Sequence, residues 1–398
     1  MSKFISFLVF LIPAIGVISG LSGAVFISCF IGASLYSIKD KISFPLYDYK
    51  LEILLLLWLG LSCLWSVNPS GSFISYLKLL AITSLGASLL ANTKYLKDMT
   101  GLEKSVIYGT FFALIFFAIE VLSNGIITRT FKSIFQINSA REFYLHSLDR
   151  GCTVIALTSW LIIGIMLKSG KYFLAVIYFF IITITLAISD SLAGFISFLI
   201  SGVFFLLTRY FPFFRSPLIL NIAFIIFGLS IIIFAVMINP KQLSDQAEFL
   251  PISAKHRLFI WHFATEKAIE KPVFGSGFAS SKYFPLTDND HAELSGAKLS
   301  LLPLHPHNSI IQIFLESGIT GLILFLMLGC KYLQYIGRNH QSTNITTLNL
   351  ISTGYSCFLT YAIISLISYS IWQTWFVCLA LWTAVMFSML SQNKGSPK

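Results

Sequence analysis

Apolar runs of about twenty residues recur along almost the whole of this 398-residue chain, and they constrain it more than any other feature. A bilayer with roughly 30 Å of hydrocarbon asks a crossing helix for about 20 consecutive apolar residues. Inside hydrocarbon each backbone amide must find its partner within the protein, so runs of this length fold as helices. Their helical length also excludes a barrel of short alternating strands. With 56% hydrophobic residues, 11% charged residues and a mean hydropathy of +0.81, the chain reads as an all-α polytopic membrane protein.

About twelve spans are expected, at roughly 4–20, 22–38, 51–67, 73–91, 105–122, 151–168, 171–189, 191–208, 218–238, 309–330, 348–367 and 369–390. The first follows Lys3 without a convincing small-x-small cleavage site and reads as a retained span. The organisation is then nine spans over 1–238, a large loop over 239–308, and three spans with a short tail over 309–398.

The formal charge of +10 is spread between spans without a dense basic tract, which argues for bilayer orientation and against nucleic acid. Lys and Arg occupy alternate short connections, while those at Asn68–Gly71, at Ser189–Ser191 and near residue 368 carry none. By the positive-inside rule both termini face the cytoplasm. Two long segments, about 123–150 (with Arg129, Lys132, Arg141 and Arg150) and 239–308, then lie outside. Loops of such length are usually functional. They hold six of the seven histidines: His146, His256, His262, His291, His305 and His307.

Within the larger loop, Ser253 to Lys271 reads as an amphipathic helix capped by Ser253 and stopped by Pro272. Leu258, Phe259, Trp261 and Phe263 would lie on the bilayer or bundle surface. Gly275-Ser276-Gly277 reads as a turn, and no strand precedes it to make a nucleotide fingerprint. The six cysteines fall within or beside apolar runs and read as packing residues.

The chemistry is expected where that loop re-enters the membrane, at His305-Pro306-His307-Asn308-Ser309. Ser309 and Gln312 have capping-box spacing, so a helix should begin just after His307. Free amides and the helix dipole there favour anions and disfavour imidazolium, leaving a neutral base. Arg257 and Arg150 are candidate anion forks, although a solvated helix face and a snorkelling arginine explain them equally well. His256, His305, Asn308 and Ser309 complete the candidate binding set.

Glu316 falls two turns into the tenth span, where a carboxylate is costly. It could orient His307 or an arginine, or pair with Lys78. Gly318 and Gly321 read as close helix packing, and Asp190 as a helix cap. Asp288, Asp290, His291, His305 and His307 could gather round a cation, but their spacing matches no recognised metal motif, and neither metal nor cofactor is expected. No Gly-x-Ser-x-Gly elbow supports a hydrolase.

His307-Asn308, nine residues, then Gly318-Ile319-Thr320-Gly321 resembles the His-(Asn/Ser/Gln)-x9-Gly-x-x-Gly pattern of the bacterial O-antigen ligase family. Leu64 to Pro69 resembles its Trp-Ser-x-x-Pro element, and Ser253 to Trp261 with Pro272 to Gly277 resembles its loop helix and glycine turn. The resemblance covers essentially the whole chain and is most specific at the histidine pattern. It implies a metal-independent GT-C-type glycosyltransferase of the bacterial inner membrane. Such an enzyme moves a glycan from undecaprenyl pyrophosphate to lipid A–core at the periplasmic face. His307 matches the family's essential histidine and Arg257 its loop arginine. The family's Ser-Arg-Gly element is replaced here by Ser189-Asp190-Ser191-Leu192, which leaves the second arginine open, with Arg150 a candidate. An O-antigen or exopolysaccharide polymerase and a protein O-glycosylating ligase share the pattern. The end of the chain soon after its last span, at Lys398, favours the lipid acceptor. A lipid-linked sugar transporter is disfavoured by the sparse intramembrane charge.

Overall fold

A computed structural model describes residues 1–96, 99–134, 145–189, 191–294 and 296–392. In chain order the helices are α1 (Ser2–Gly16), α2 (Gly20–Ser37), α3 (Lys50–Ser62), α4 (Pro69–Ala91), α5 (Met99–Leu122), α6 (Ile126–Ile134), α7 (Asp149–Lys168), α8 (Tyr172–Ile188), α9 (Leu192–Tyr210), α10 (Pro217–Met237), α11 (Pro240–Gln246), α12 (Ile252–Glu270), α13 (Ser309–Ile336), α14 (Ile345–Ile367) and α15 (Thr374–Gln392). A helix falls in every expected apolar run; α6, α11 and α12 are additional. Among the described residues, α4, α5, α7, α9, α10, α13, α14 and α15 are long and apolar enough to cross a membrane, and α1, α2 and α8 are shorter apolar helices. Arg141 and Asp190, and Lys97, Lys394 and Lys398 of the charge pattern, lie outside the described residues.

Local chemistry sets several helix starts. Asn68, Asn239 and Asn344 each accept a backbone N–H two or three residues into the helix (Gly71, Gln242 and Thr347, at 3.0, 3.1 and 3.0 Å). Pro69 and Pro240 follow at the first helical position, where a missing N–H costs nothing. The centre of the bundle is α7, buried on nearly all sides, with 89% of its apolar window inside. Its Trp160 donates to Thr360 Oγ1 of α14 (2.8 Å), which bonds Ser201 of α9 (2.9 Å), so one polar chain ties three helices through the apolar core. The outside is as apolar as the inside: α8 and α10 expose Phe173, Phe180, Ile184, Leu218 and Ile226. Water does not tolerate patches of that extent, whereas hydrocarbon does.

The segment between α10 and α13 departs from the sequence reading in two places. α12 starts at Ile252 behind Pro251, one residue before Ser253, and its Leu258, Ile260, Phe263, Ala264 and Ala268 are buried. It packs on the bundle, against α10 and α13, the second of the two surfaces expected for it. A two-stranded antiparallel hairpin, β1 (His291–Leu294) and β2 (Ala297–Ser300), also adds strand to an otherwise helical chain. Its four-residue strands are too short to stand out from the loop pattern.

The fold's main joint is a break in α13. Gly318 has φ 65° and ψ −169°, so the helix stops there and restarts, and the turn after α12 enters the gap. Ser276 and Gly277 donate to the carbonyls of Leu315 and Glu316 (both 2.8 Å), and Trp58 Nε1 donates to that of Ser317 (3.0 Å). In return the Pro272 carbonyl accepts from the Ile319 N–H (2.7 Å) and the Val273 carbonyl from Thr320 Oγ1 (3.1 Å). Carbonyls freed by the break are thus satisfied by the loop and by Trp58, the condition for irregular backbone at membrane depth. Gly318 was expected to serve helix packing; it is instead the socket for a turn. Gly277 (φ 95°) closes the joint on its other side, because a Cβ there would meet the backbone of Ser66. The Trp65-Ser66 element, the glycine turn and the Gly-x-x-Gly element are therefore parts of one interlock.

Candidate active site

His307 is held from three sides at the start of α13. Pro306 is pinned by Trp261 of α12, whose indole N–H donates to the Pro306 carbonyl (3.0 Å). The chain then turns through His307 at φ 53°, a left-handed conformation uncommon for a side-chain-bearing residue and frequent at functional sites. The turn is closed by the His307 N–H donating to His305 Nδ1 (3.1 Å), with the two rings 4.1 Å apart. From the third side, His307 Nδ1 lies 2.6 Å from the carbonyl of Ser368, in the connection between α14 and α15.

That last contact fixes the tautomer. A carbonyl only accepts, so Nδ1 carries the hydrogen and Nε2 of the neutral ring is left with its lone pair. Burial depresses the His307 pKa, and the charges of Arg257 and His256 depress it further, against the bond to Ser368 that raises it. His305 is driven down to about 3 by burial, helped by His307 and Arg257. Both rings are neutral at physiological pH, one an orienting acceptor and the other a base with an unprotonated Nε2.

Arg257 reaches this pair from the first turns of α12. Burial lowers its pKa while Asp149 works in the opposite sense, and it remains a cation. Its Nη1 donates to the Ser253 carbonyl (3.2 Å), while its buried Nε has no hydrogen-bond partner among the described residues. Buried donors are rarely left unmade, so an unmatched guanidinium N–H invites an anion. Arg150 approaches from α7, with its guanidinium 6.0 Å over the ring of Trp375, which itself packs on Tyr369 beside Ser368 (4.8 Å). Arg150 thereby flanks the connection that holds His307.

Other expected residues sit differently. The N-cap of α13 is Asn308, not Ser309: its side chain accepts from the N–H groups of Ile310 and Ile311 (3.1 and 3.2 Å), and its carbonyl accepts from Gln312. Those amides are consumed, so they offer nothing to a bound anion. Ser309 is buried and bonds Ser365 (3.0 Å). His256 Nε2 is engaged by the Ser300 carbonyl (2.7 Å), an anchor for the hairpin. Glu316 orients neither His307 nor an arginine, and among the described residues it forms no ion pair with Lys78. Five donors take its two oxygens: the N–H groups of Ala279 and Ser281, the Ser281 hydroxyl, the Gln312 amide and the Trp372 indole. It is a buried clamp on the loop. Asp290 caps its own turn through Thr287, and among the described residues no group of three or more His, Cys, Asp or Glu is placed to hold a metal.

The partner of His307 that sequence reasoning missed is a main-chain carbonyl, which no residue type announces. A cavity of about 1490 Å³ between α3, α4, α13, α14 and α15 does not include the histidines. Its lining is mostly apolar and ends at Ser309, Ile310, Ile371 and Trp372, directly along the chain from His307 and Ser368.

Comparison with known proteins places these elements in a family context. The sequence model of the O-antigen ligase family matches residues 177–326, a stretch containing Arg257, His307 and Gly318. A protein of Rickettsia typhi is 38% identical over 410 residues, covering 96% of each chain. Another from Rickettsia felis is 37% identical over 415 residues, covering 98% of each, and one from Rickettsia bellii is 36% identical over 412 residues. All three carry the provisional name of a polysaccharide ligase.

Proposed function

The chain belongs to the O-antigen ligase family of polysaccharide ligases, and on that premise we propose that it transfers a glycan from undecaprenyl pyrophosphate to a sugar hydroxyl of lipid A–core. In this reading twelve helices cross the bacterial inner membrane, both termini are cytoplasmic, and residues 239–308 form a periplasmic loop that builds the site. The observation that carries it is the pairing of a neutral histidine, with Nε2 unprotonated, and a buried arginine whose Nε lacks a partner among the described residues.

The reaction is a single displacement. The acceptor oxygen attacks the anomeric carbon as its proton passes to His307 Nε2, and the bond to the pyrophosphate oxygen breaks with its electron pair leaving on the diphosphate. Arg257, with Arg150, holds that charge through guanidinium forks. The helix start contributes little, because Asn308 has taken its amides. The apolar cavity ending at Ile371 and Trp372 suits the hydrocarbon chain of a lipid-linked substrate. Undecaprenyl pyrophosphate is a good leaving group, so charge stabilisation carries much of the catalysis and the base adds about 10²–10⁴-fold.

The test is a null cell of the native organism. Loss of the protein should leave lipid A–core uncapped while lipid-linked glycan accumulates, and the restored product should carry the inverted anomer. A single-repeat cap in the null cell would instead identify a polymerase, and retention of configuration would exclude the single displacement.

A further inference from the structure

The connection between α14 and α15 has no regular structure of its own, yet its Ser368 carbonyl decides which nitrogen of His307 is free. Something must hold that carbonyl. The bonds converge on Gln312, one helical turn into α13 and buried. Its Nε2 donates to Ser370 Oγ (2.9 Å), and its Oε1 accepts from the Ile371 N–H (3.3 Å). Ser370 Oγ accepts in turn from the Trp372 N–H (3.4 Å).

The amide cannot turn over. Its Nε2 also faces Glu316 Oε1 (3.1 Å), and Glu316 Oε2 takes the Trp372 indole N–H (2.6 Å). Both carboxylate oxygens only accept here, so Gln312 must present its NH₂ to Glu316 and its oxygen to Ile371. One side chain thus grips two consecutive residues of the connection, and a buried carboxylate fixes the sense of the grip.

We propose that Gln312, oriented by Glu316, is the positioning residue of the site: by holding residues 370 and 371 it keeps the Ser368 carbonyl on His307 Nδ1 and so keeps Nε2 the free nitrogen. The proposal rests on the reading of His307 as the base. It assigns Gln312 no contact with substrate. Its whole effect passes through the imidazole.

That dependence gives a test that a merely structural role would fail. Null cells of the native organism, rich in their own lipid-linked glycan, are complemented with variants at matched membrane abundance. Transfer of pulse-labelled glycan to the acceptor is then followed. Gln312→Met keeps the length of the side chain and removes both bonds. Since the base is worth about 10²–10⁴-fold, releasing its tautomer should slow transfer on the order of tenfold or more in the His307 protein. In His307→Ala the same change should slow the residual transfer by less than about twofold, because coupled residues are non-additive. Ser370→Ala, a small change that removes one bond of the grip, should show the same pattern at lower amplitude, and it decides the matter if Gln312→Met does not accumulate in the membrane. Equal factors in the two backgrounds, or no effect in the His307 protein, would overturn the proposal. Full activity of His307→Ala would overturn the base reading itself, and is a different result.

Discussion

Gly318→Ala is the substitution whose cost the structure states most directly. At φ 65° and ψ −169° the residue occupies backbone space essentially reserved for glycine, and forcing alanine into it costs about 1–3 kcal/mol. The added Cβ would also run into the Val273 carbonyl and lie 2.8 Å from the Gly275 nitrogen. These are backbone atoms, so relief requires the whole turn to withdraw. Withdrawal first breaks the 2.7 Å bond from Ile319 to Pro272, and a backbone donor left unmade at membrane depth costs a further ~1–3 kcal/mol. The total, on the order of 2–6 kcal/mol, is a large share of an ordinary stability of about 5–15 kcal/mol. The assay is thermal retention of monodisperse detergent-solubilised protein, together with transfer by membranes. Gly32→Ala is the control, since a Cβ at Gly32 meets nothing within 4 Å. It should be neutral or slightly stabilising, while Gly318→Ala should melt lower and transfer less. A Gly318→Ala protein as stable and as active as the parent would refute the interlock.

Arg257→Lys keeps the charge and loses the fork, so transfer should drop on the order of tenfold or more, chiefly as weaker use of the lipid-linked donor; parental donor dependence would remove Arg257 from the site. Glu316→Ala orphans five donors around a buried position, and should appear as lost folded protein and not as slow turnover of a normal yield. Burial holds His305 at about 3 against an ordinary 6.5, so below pH 6.5 the unfolded chain binds a proton that the folded chain refuses. Stability therefore falls as pH drops from 6.5 towards 3, by about 2 kcal/mol at pH 5, with His307 acting in the same direction. Melting at pH 7.5 and 5 should show a smaller drop for His305→Asn than for the parent, and an identical drop would contradict the assignment.

The helices were legible because hydrocarbon imposes one rule on every run: satisfy the backbone locally. The Asn-Pro pairs that start α4 and α11 went unread: the first reads as a connection, and no helix was expected at the second. The break at Gly318 was not legible either. A lone glycine in an apolar run is ordinary in membrane helices, and only the turn arriving from residues 272–277 distinguishes a socket from a packing contact. Glu316 shows the same limit. Its position announced that a buried carboxylate must be matched, but not that loop amides and Trp372 would do the matching. The cap at Asn308 was displaced by one residue from the Ser309 expected, because Asn and Ser serve equally well and both have a plausible partner downstream. His307 was visible as a histidine at a helix mouth, whereas its tautomer depends on a carbonyl 61 residues away in sequence.

The central claim is that neutral His307 takes the acceptor proton through Nε2. Its most direct test is the transfer rate of His307→Ala against the parent in native membranes, followed from pH 8 downwards. Because burial and Arg257 depress the His307 pKa, the parent should lose its rate only on an acid limb shifted below that of an ordinary imidazole. His307→Ala should be slower by about 10²–10⁴-fold and lack that acid limb. A variant that transfers within a few-fold of the parent, or keeps the same acid limb, would contradict the account.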